Sequence, residues 1–522
     1  RRNICSDDGL TSGTAARASR SASRHDGALM DHFAVTVALV GIVILVASLL
    51  SGVLERTGFP IVAVFLALGA ILGPYGFGFI DISFESPQLR VISMLALALV
   101  LFSDAVTVDV TAVKERKPLL WRLLGPGTLL PAALLTAAAH FLLGLSWALS
   151  AILGAALAST DPVLLRGVLR FPKFPAVPRI ALRIETGMND VILLPIVVLA
   201  MLAVTAGTPE TMHTTVTRSV VGLFVLGPAL GALTGWFGII LLDKIRSGTG
   251  VRRDYESLYA IGLALTAFAF AEVTGGSGFL AAFTAGIMVS SQDVELCDCF
   301  LEYGEATSEM LLLLTFVALG TSLIWTGFQS LSFATIAFAV IALVVRTIVL
   351  YPVLTRAHVT GRDRKLIALF GPRGLSSLLL VMLPVFAGIP GSIHLFQVTC
   401  VIVLASVILH GTGIALFLRR NNVAALAPLV TAPLPASPRA SLPIAGAQPE
   451  SEGVPDRITI EEVRELQKSG EDLVFIDARA DRNRRNSDTQ IAGSIRVHPH
   501  DPVPDVTALR LSQHSTLVVY CA

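Results

Sequence analysis

The sequence predicts an all-α polytopic membrane domain of about 13 transmembrane helices with inverted repeats, followed by a partial α/β domain at the C-terminus. Three observations carry this. Of 522 residues, 53% are hydrophobic and 15% charged, with a mean hydropathy of +0.73, more apolar than a soluble globule of this length requires. Apolar runs follow one another from about residue 33 to 418. Lys and Arg are concentrated in alternate connections between those runs, as the orientation rule for membrane helices demands.

The first 30 residues, "RRNICSDDGLTSGTAARASRSASRHDGALM", are polar, rich in Ser, Ala and Arg, and do not begin with Met. They are expected to be a disordered or non-native lead, with Met30 standing just before the first apolar run. The transmembrane domain is expected over 31–420, with spans at 33–54, 60–74, 89–108, 119–143, 146–165, 180–206, 217–242, 255–273, 277–291, 307–326, 331–355, 365–388 and 394–418. Several fall short of the ~20 residues that cross a bilayer, and many contain Gly and Pro, which neighbouring helices or cavity water make tolerable. The connections after odd-numbered spans, with the tail after the last, carry 20 Lys and Arg, from Arg56 to Arg420; the opposite side has Arg90 and Arg218. The basic side is therefore cytoplasmic, the N-terminus faces out and the C-terminal tail faces in.

Residues 421–456 are rich in Pro, Ala and Ser and read as a flexible linker. A soluble pattern occupies 457–522. "ITIEEVRELQKSG" is a short amphipathic helix with a Thr459 cap and a Gly470 stop, and "LVFIDAR" and "STLVVYC" are buried strands of the parallel type. The chain ends one residue past the second strand, in mid-domain, as if truncated. Its five cysteines are scattered and imply no disulfide framework, and the pair Cys297 and Cys299 lacks the second pair of a zinc site. A net charge of +1 gives no pointer to nucleic acid.

Charged residues inside the spans mark the chemistry, because an ionised side chain in lipid persists only beside a partner or a watery cavity. In "RIETGMNDVILLPIVVLA", Glu185 and Asn189 share one helix face, and Thr186 and Asp190 share another roughly 100° round. Glu185 is thus able to pair in one direction while Asp190, helped by the Thr186 hydroxyl, looks in another. In "ALASTDPVLLRGVLR", Pro162 removes a backbone donor and disfavours helix at Asp161. An interruption holding Thr160, Asp161 and freed carbonyls suits a small cation. A second interruption, "ALFGPRGLSSLLL", brings the fixed charge of Arg373 into the twelfth span. Two interrupted spans, seven apart and oppositely directed, are the signature of an inverted-repeat transporter. Arg346 lies in the eleventh span and Asp104 in the third; His140 and His410 read as packing histidines.

"ASTDP", "RIETGMND", "FLAAFTAGI", "GPRGLSS" and "SVILHGTG", in that order over 33–418, resemble the monovalent cation:proton antiporter-1 family, the bacterial NhaP-type sodium/proton exchangers. The resemblance implies that spans 5 and 12 cross as broken helices at mid-membrane. It implies that Asp161 and Asp190 bind Na+ or protons, with Thr160 and Thr186 as oxygen ligands, and that Asn189 belongs to the Asn-Asp pair that accompanies electroneutral exchange. Glu185 would pair with Arg346, Arg373 would organise the site, and Asp104 would lie at its cytoplasmic approach. "GMND" stands here for the more usual "SLIND" or "GLFND", and "GPRG" for "GLRG". A homodimer in the bacterial inner membrane is implied as well.

The expected activity is secondary antiport. A carboxylate in a low-dielectric cavity takes a proton or a cation but not both, and exchange follows if only loaded states cross. No cofactor or ATPase motif is expected; the partners are Na+ (or K+ or Li+), protons and the lipid bilayer, with no nucleic acid. The tail, "LVFIDARADRNRRNSDTQIAGSIRVHP" followed by "STLVVYCA", resembles the first part of a rhodanese domain, with Gln490 in place of the usual histidine. By that resemblance Cys521 is the cysteine that carries a persulfide. Two other readings follow from other features: a membrane-anchored sulfurtransferase or sulfur-species transporter, and a gated cation channel.

Overall fold

The computed structural model describes residues 41–46, 49, 61–80, 82–108, 117–169, 174–205, 217–248, 253–292, 298–357 and 359–420, and in the tail 463–464, 466–467, 473–477, 491, 493–497 and 516–520. The chain divides into two units, Arg1–Thr431 and Ala432–Ala522.

The described residues of the first unit are predominantly helical. In chain order it contains α1 (Ile61–Leu72), α2 (Pro87–Val106), α3 (Lys117–Leu124), α4 (Pro126–Leu143), α5 (Trp147–Ala158), α6 (Pro162–Leu169), α7 (Ala176–Thr205), α8 (Gly227–Gly248), α9 (Arg253–Thr274), α10 (Gly278–Ser291), α11 (Asp298–Thr321), α12 (Phe333–Val353), α13 (Gly361–Leu369), α14 (Leu375–Phe386) and α15 (Ser392–Arg420). Among the described residues seven helices are long and apolar enough to cross a membrane, and eight if one bent pair counts as a single span. The sequence reading asked for thirteen crossings. The difference lies in short apolar helices such as Ile61–Leu72, Gly278–Ser291 and Leu375–Phe386, which are too short to span by themselves, and in the first run, of which only 41–46 and 49 are described.

The expected span at 307–326 departs in another way. Its helix begins at Asp298, and a 52° bend separates Ala306–Thr321 from the 3-10 turn Leu323–Ser330. At the bend the Ser322 hydroxyl donates to the Ile82 carbonyl at 2.8 Å, and the Trp325 indole N–H donates to Gly320 O at 2.6 Å. Helices approach closely where glycines face one another: a Cβ on Gly320 would lie 2.5 Å from the Leu66 carbonyl of α1, so only small residues allow that packing. The core joins most of these helices through buried Leu, Val, Ile, Ala and Phe, while outward side chains such as Phe141, Trp236, Phe333 and Ile348 stay exposed, as lipid-facing positions require.

The second unit contains a parallel sheet of order β2-β1-β3, from β1 (Leu473–Asp477), β2 (Ile495–Arg496) and β3 (Thr516–Tyr520). Leu473 pairs with Thr516, Asp477 with Tyr520, and Ile476 with Ile495. The expected strands and their parallel sense are present. The expected burial of β3 is not: Leu517 and Val519 are 45% and 60% exposed, since successive side chains of a strand point to opposite faces and Thr516, Val518 and Tyr520 take the more covered one. Cys521 and most of the helix expected at 459–470 lie outside the described residues.

Candidate functional site

The two interruptions found in the sequence are breaks in the structure, and they meet. α5 ends at Ala158 and α6 begins at Pro162, with Ser159 extended at φ −61°, ψ 143°. α13 ends at Leu369 and α14 begins at Leu375. The Asp161 N–H donates to the Pro372 carbonyl at 3.0 Å, tying one break to the other.

Breaking two helices creates four ends whose backbone groups have no helical partner, and inside a membrane water cannot supply one. Three side chains do. Asp161 accepts from the Val163 N–H through Oδ1 and from the Leu375 N–H through Oδ2, both at 2.7 Å. One carboxylate therefore caps the positive starts of both α6 and α14. At the negative ends, Arg373 Nη1 donates to the carbonyls of Ala158 and Ser159 at 3.0 and 2.9 Å. Arg346 Nη1 does the same for Ile367 and Ala368 at 3.0 and 2.9 Å. The remaining face of Arg346 forms a two-pronged pair with Glu185, Nε to Oε1 at 2.8 Å and Nη2 to Oε2 at 2.6 Å, the geometry in which guanidinium and carboxylate bind most strongly. Arg373 is among the largest fully buried side chains, and its own N–H donates to the Ser406 hydroxyl at 2.7 Å. Gly374 lies so close to Asp161 that a Cβ there would overlap Oδ2.

α7 lays the remaining groups across these breaks. Asp190 is buried, its Oδ1 accepts from the Ser159 hydroxyl, and the Ser376 side chain of α14 lies beside it. Asn189 Nδ2 donates to Thr160 Oγ1 at 2.7 Å, while its buried Oδ1 has no partner. The Thr186 hydroxyl donates to its own helix, to Leu182 O at 3.0 Å or Arg183 O at 3.2 Å, the usual habit of a mid-helix threonine. Asp104 on α2 is half-buried beside α7; a Cβ on Gly187 would lie 3.3 Å from its Cβ.

The structure thus gathers Thr160, Asp161, Asn189, Asp190 and Arg373 about the two breaks, with the Glu185–Arg346 pair at the end of α13 and Thr186 and Asp104 at the edge. Sequence reasoning missed Ser159, Ser376 and Ser406. Only the hydroxyl runs "AST" and "LSS" beside each break hinted at the first two. His140 bonds the Leu145 carbonyl at 2.7 Å and stacks on Trp147, and His410 bonds Ser406 at 3.1 Å; both are engaged in packing contacts.

Residues 41–420 match the family model of the transmembrane sodium/hydrogen exchangers. The chain belongs to that family. It is 26% identical over 394 residues to the K(+)/H(+) antiporter NhaP of Alkalimonas amylolytica, covering 74% of this chain and 67% of that protein. It is 27% identical over 391 residues to the K(+)/H(+) antiporter NhaP2 of a Shewanella species, covering 72% and 65%. The match thus spans about two thirds of these curated relatives. Among solved structures, the sodium proton antiporter MjNhaP1 of Methanocaldococcus jannaschii superposes with a TM-score of 0.57 at 19% identity, over 72% of this chain and 98% of that one. At that identity the likeness establishes the fold.

Proposed function

We propose that this chain exchanges a monovalent alkali cation, Na+ in the first instance and K+ or Li+ as alternatives, for protons across the bacterial inner membrane. One observation carries the reading. Asp190 is buried and bonded to the Ser159 hydroxyl, while the two nearby arginines are engaged elsewhere, Arg346 with Glu185 and Arg373 with helix-end carbonyls. An acid held by a hydroxyl keeps its capacity to take either a proton or a cation. One locked to arginine does not.

In this reading Asp190 is the exchanging group. Asp161 holds the two helix starts together and lends negative charge, Thr160, Thr186 and Asn189 contribute oxygens, and Asp104 lies on the cytoplasmic approach. Thirteen crossings, in two inverted repeats, alternate access about the paired breaks. The domain extends over 31–420, with 421–456 as linker and 457–522 as a cytoplasmic rhodanese-like unit, and two copies form a homodimer. The Asn189-Asp190 pair accompanies one-for-one, electroneutral turnover. The sulfurtransferase alternative has no observation in its favour, since Cys521 lies outside the described residues.

Everted vesicles test the reading. With a preset pH gradient, added Na+, K+ or Li+ should dissipate it in the wild type and fail to do so in Asp190→Asn. Normal dissipation by that variant would remove Asp190 from the mechanism, and cation entry without proton counterflow would make the protein a channel.

A further inference from the structure

Asp190 accepts a hydrogen bond from Ser159 and has Ser376 beside it, two groups that nothing in the family resemblance assigns. Ser159 is the C-cap of α5, and its carbonyl is pinned by Arg373 at 2.9 Å, so its hydroxyl is delivered to Asp190 from a fixed backbone. Ser376 belongs to the first turn of α14, just past the other break. Ser159 is fully buried and Ser376 is 7% exposed, so bulk water does not compete for either. Next to Asp190 in the chain, the buried Asn189 Oδ1 is an acceptor with no partner.

A hydroxyl carries one donor and two acceptor lone pairs and rotates to suit its neighbour. Beside an ionised carboxylate it donates. Beside a protonated one it accepts. Beside a carboxylate holding a cation, its oxygen is a hard neutral ligand of the kind alkali ions prefer. We infer that Ser159 and Ser376 are cation ligands of Asp190 that reverse hydrogen-bond direction during exchange, and that with Asn189 Oδ1 they set affinity and selectivity among alkali cations. The inference rests on the antiport reading and adds to it ligands supplied one from each broken span, so that cation binding draws on both halves of the crossover at once.

The test is proteoliposome exchange with Na+ and K+ as separate substrates. Ser159→Ala and Ser376→Ala should each raise the KM for the preferred cation by roughly tenfold, the scale of one lost hydrogen bond to a charged group, and by more than they lower Vmax. The double variant should change the Na+/K+ KM ratio. Ser159→Thr or Ser376→Thr, which keep the hydroxyl, should restore the wild-type KM; should one position fail to yield protein, the other serves alone. Wild-type KM values in the alanine variants, with Asp190→Asn inactive, would overturn this inference and leave the antiport reading standing. Normal exchange by Asp190→Asn would overturn both.

Discussion

Glu185 and Asp190 stand five positions apart on one helix, and their surroundings give them opposite tasks. Glu185 meets a guanidinium through both oxygens, at 2.8 and 2.6 Å, with both side chains only 4% exposed. Removing one member of such a pair strands the other charge, an effect of about 3–5 kcal/mol. Glu185→Gln should therefore lower the thermal midpoint of the detergent-solubilised protein and its yield in the membrane, while the correctly folded fraction keeps its cation KM. Asp190 has no such pairing among the described residues and is bonded by the Ser159 hydroxyl. Asp190→Asn should leave the midpoint close to wild type and abolish exchange. The two acids were legible in the sequence because a carboxylate in an apolar run demands an explanation. The serines were not, because a serine in a membrane helix is ordinary and only the folded chain brings residue 159 to residue 190.

At the scale of elements, the decisive feature is the mutual satisfaction of two broken helices. Both breaks were legible, since Pro162 and the Gly-Pro-Arg-Gly run cannot continue a helix. Which group serves which end was not, because those bonds join residues far apart in sequence: Arg373 reaches Ala158 across 215 positions. The bend at Ser322 was also illegible. No proline marks it, and the bond made there joins Ser322 to Ile82 on a different segment. The crossover gives a sharp steric prediction. Gly374→Ala introduces a methyl group where Asp161 Oδ2 sits, so Asp161 must release the start of α14. Exchange should fall by ~100-fold, the usual consequence of displacing a working group by an ångström. Gly361→Ala, at the start of α13 with open space around it, should exchange as the wild type does. Equal activity in the two variants, measured in the same vesicles, would contradict the capping role of Asp161.

For the whole molecule, every group of the proposed site lies within Arg1–Thr431, and the parallel sheet belongs to Ala432–Ala522. A chain ending at Thr431 should accordingly retain cation-dependent proton counterflow, and loss of counterflow with normal membrane insertion would assign the tail a direct part in transport. Competition at a single carboxylate makes a further demand on the intact protein. If proton and cation exclude each other at Asp190, the apparent KM for the cation is its intrinsic constant multiplied by one plus the ratio of proton concentration to the acid constant. On the acid limb that KM should rise by about tenfold for each unit fall in pH, with Vmax unchanged, because excess cation displaces the proton. On the alkaline limb it should level off. A Vmax that falls with acidity at saturating cation would instead mean that protons inhibit at a second group, and the single-site mechanism would fail even with Asp190 essential. Exchange measured over a grid of pH and Na+ concentrations separates the two patterns.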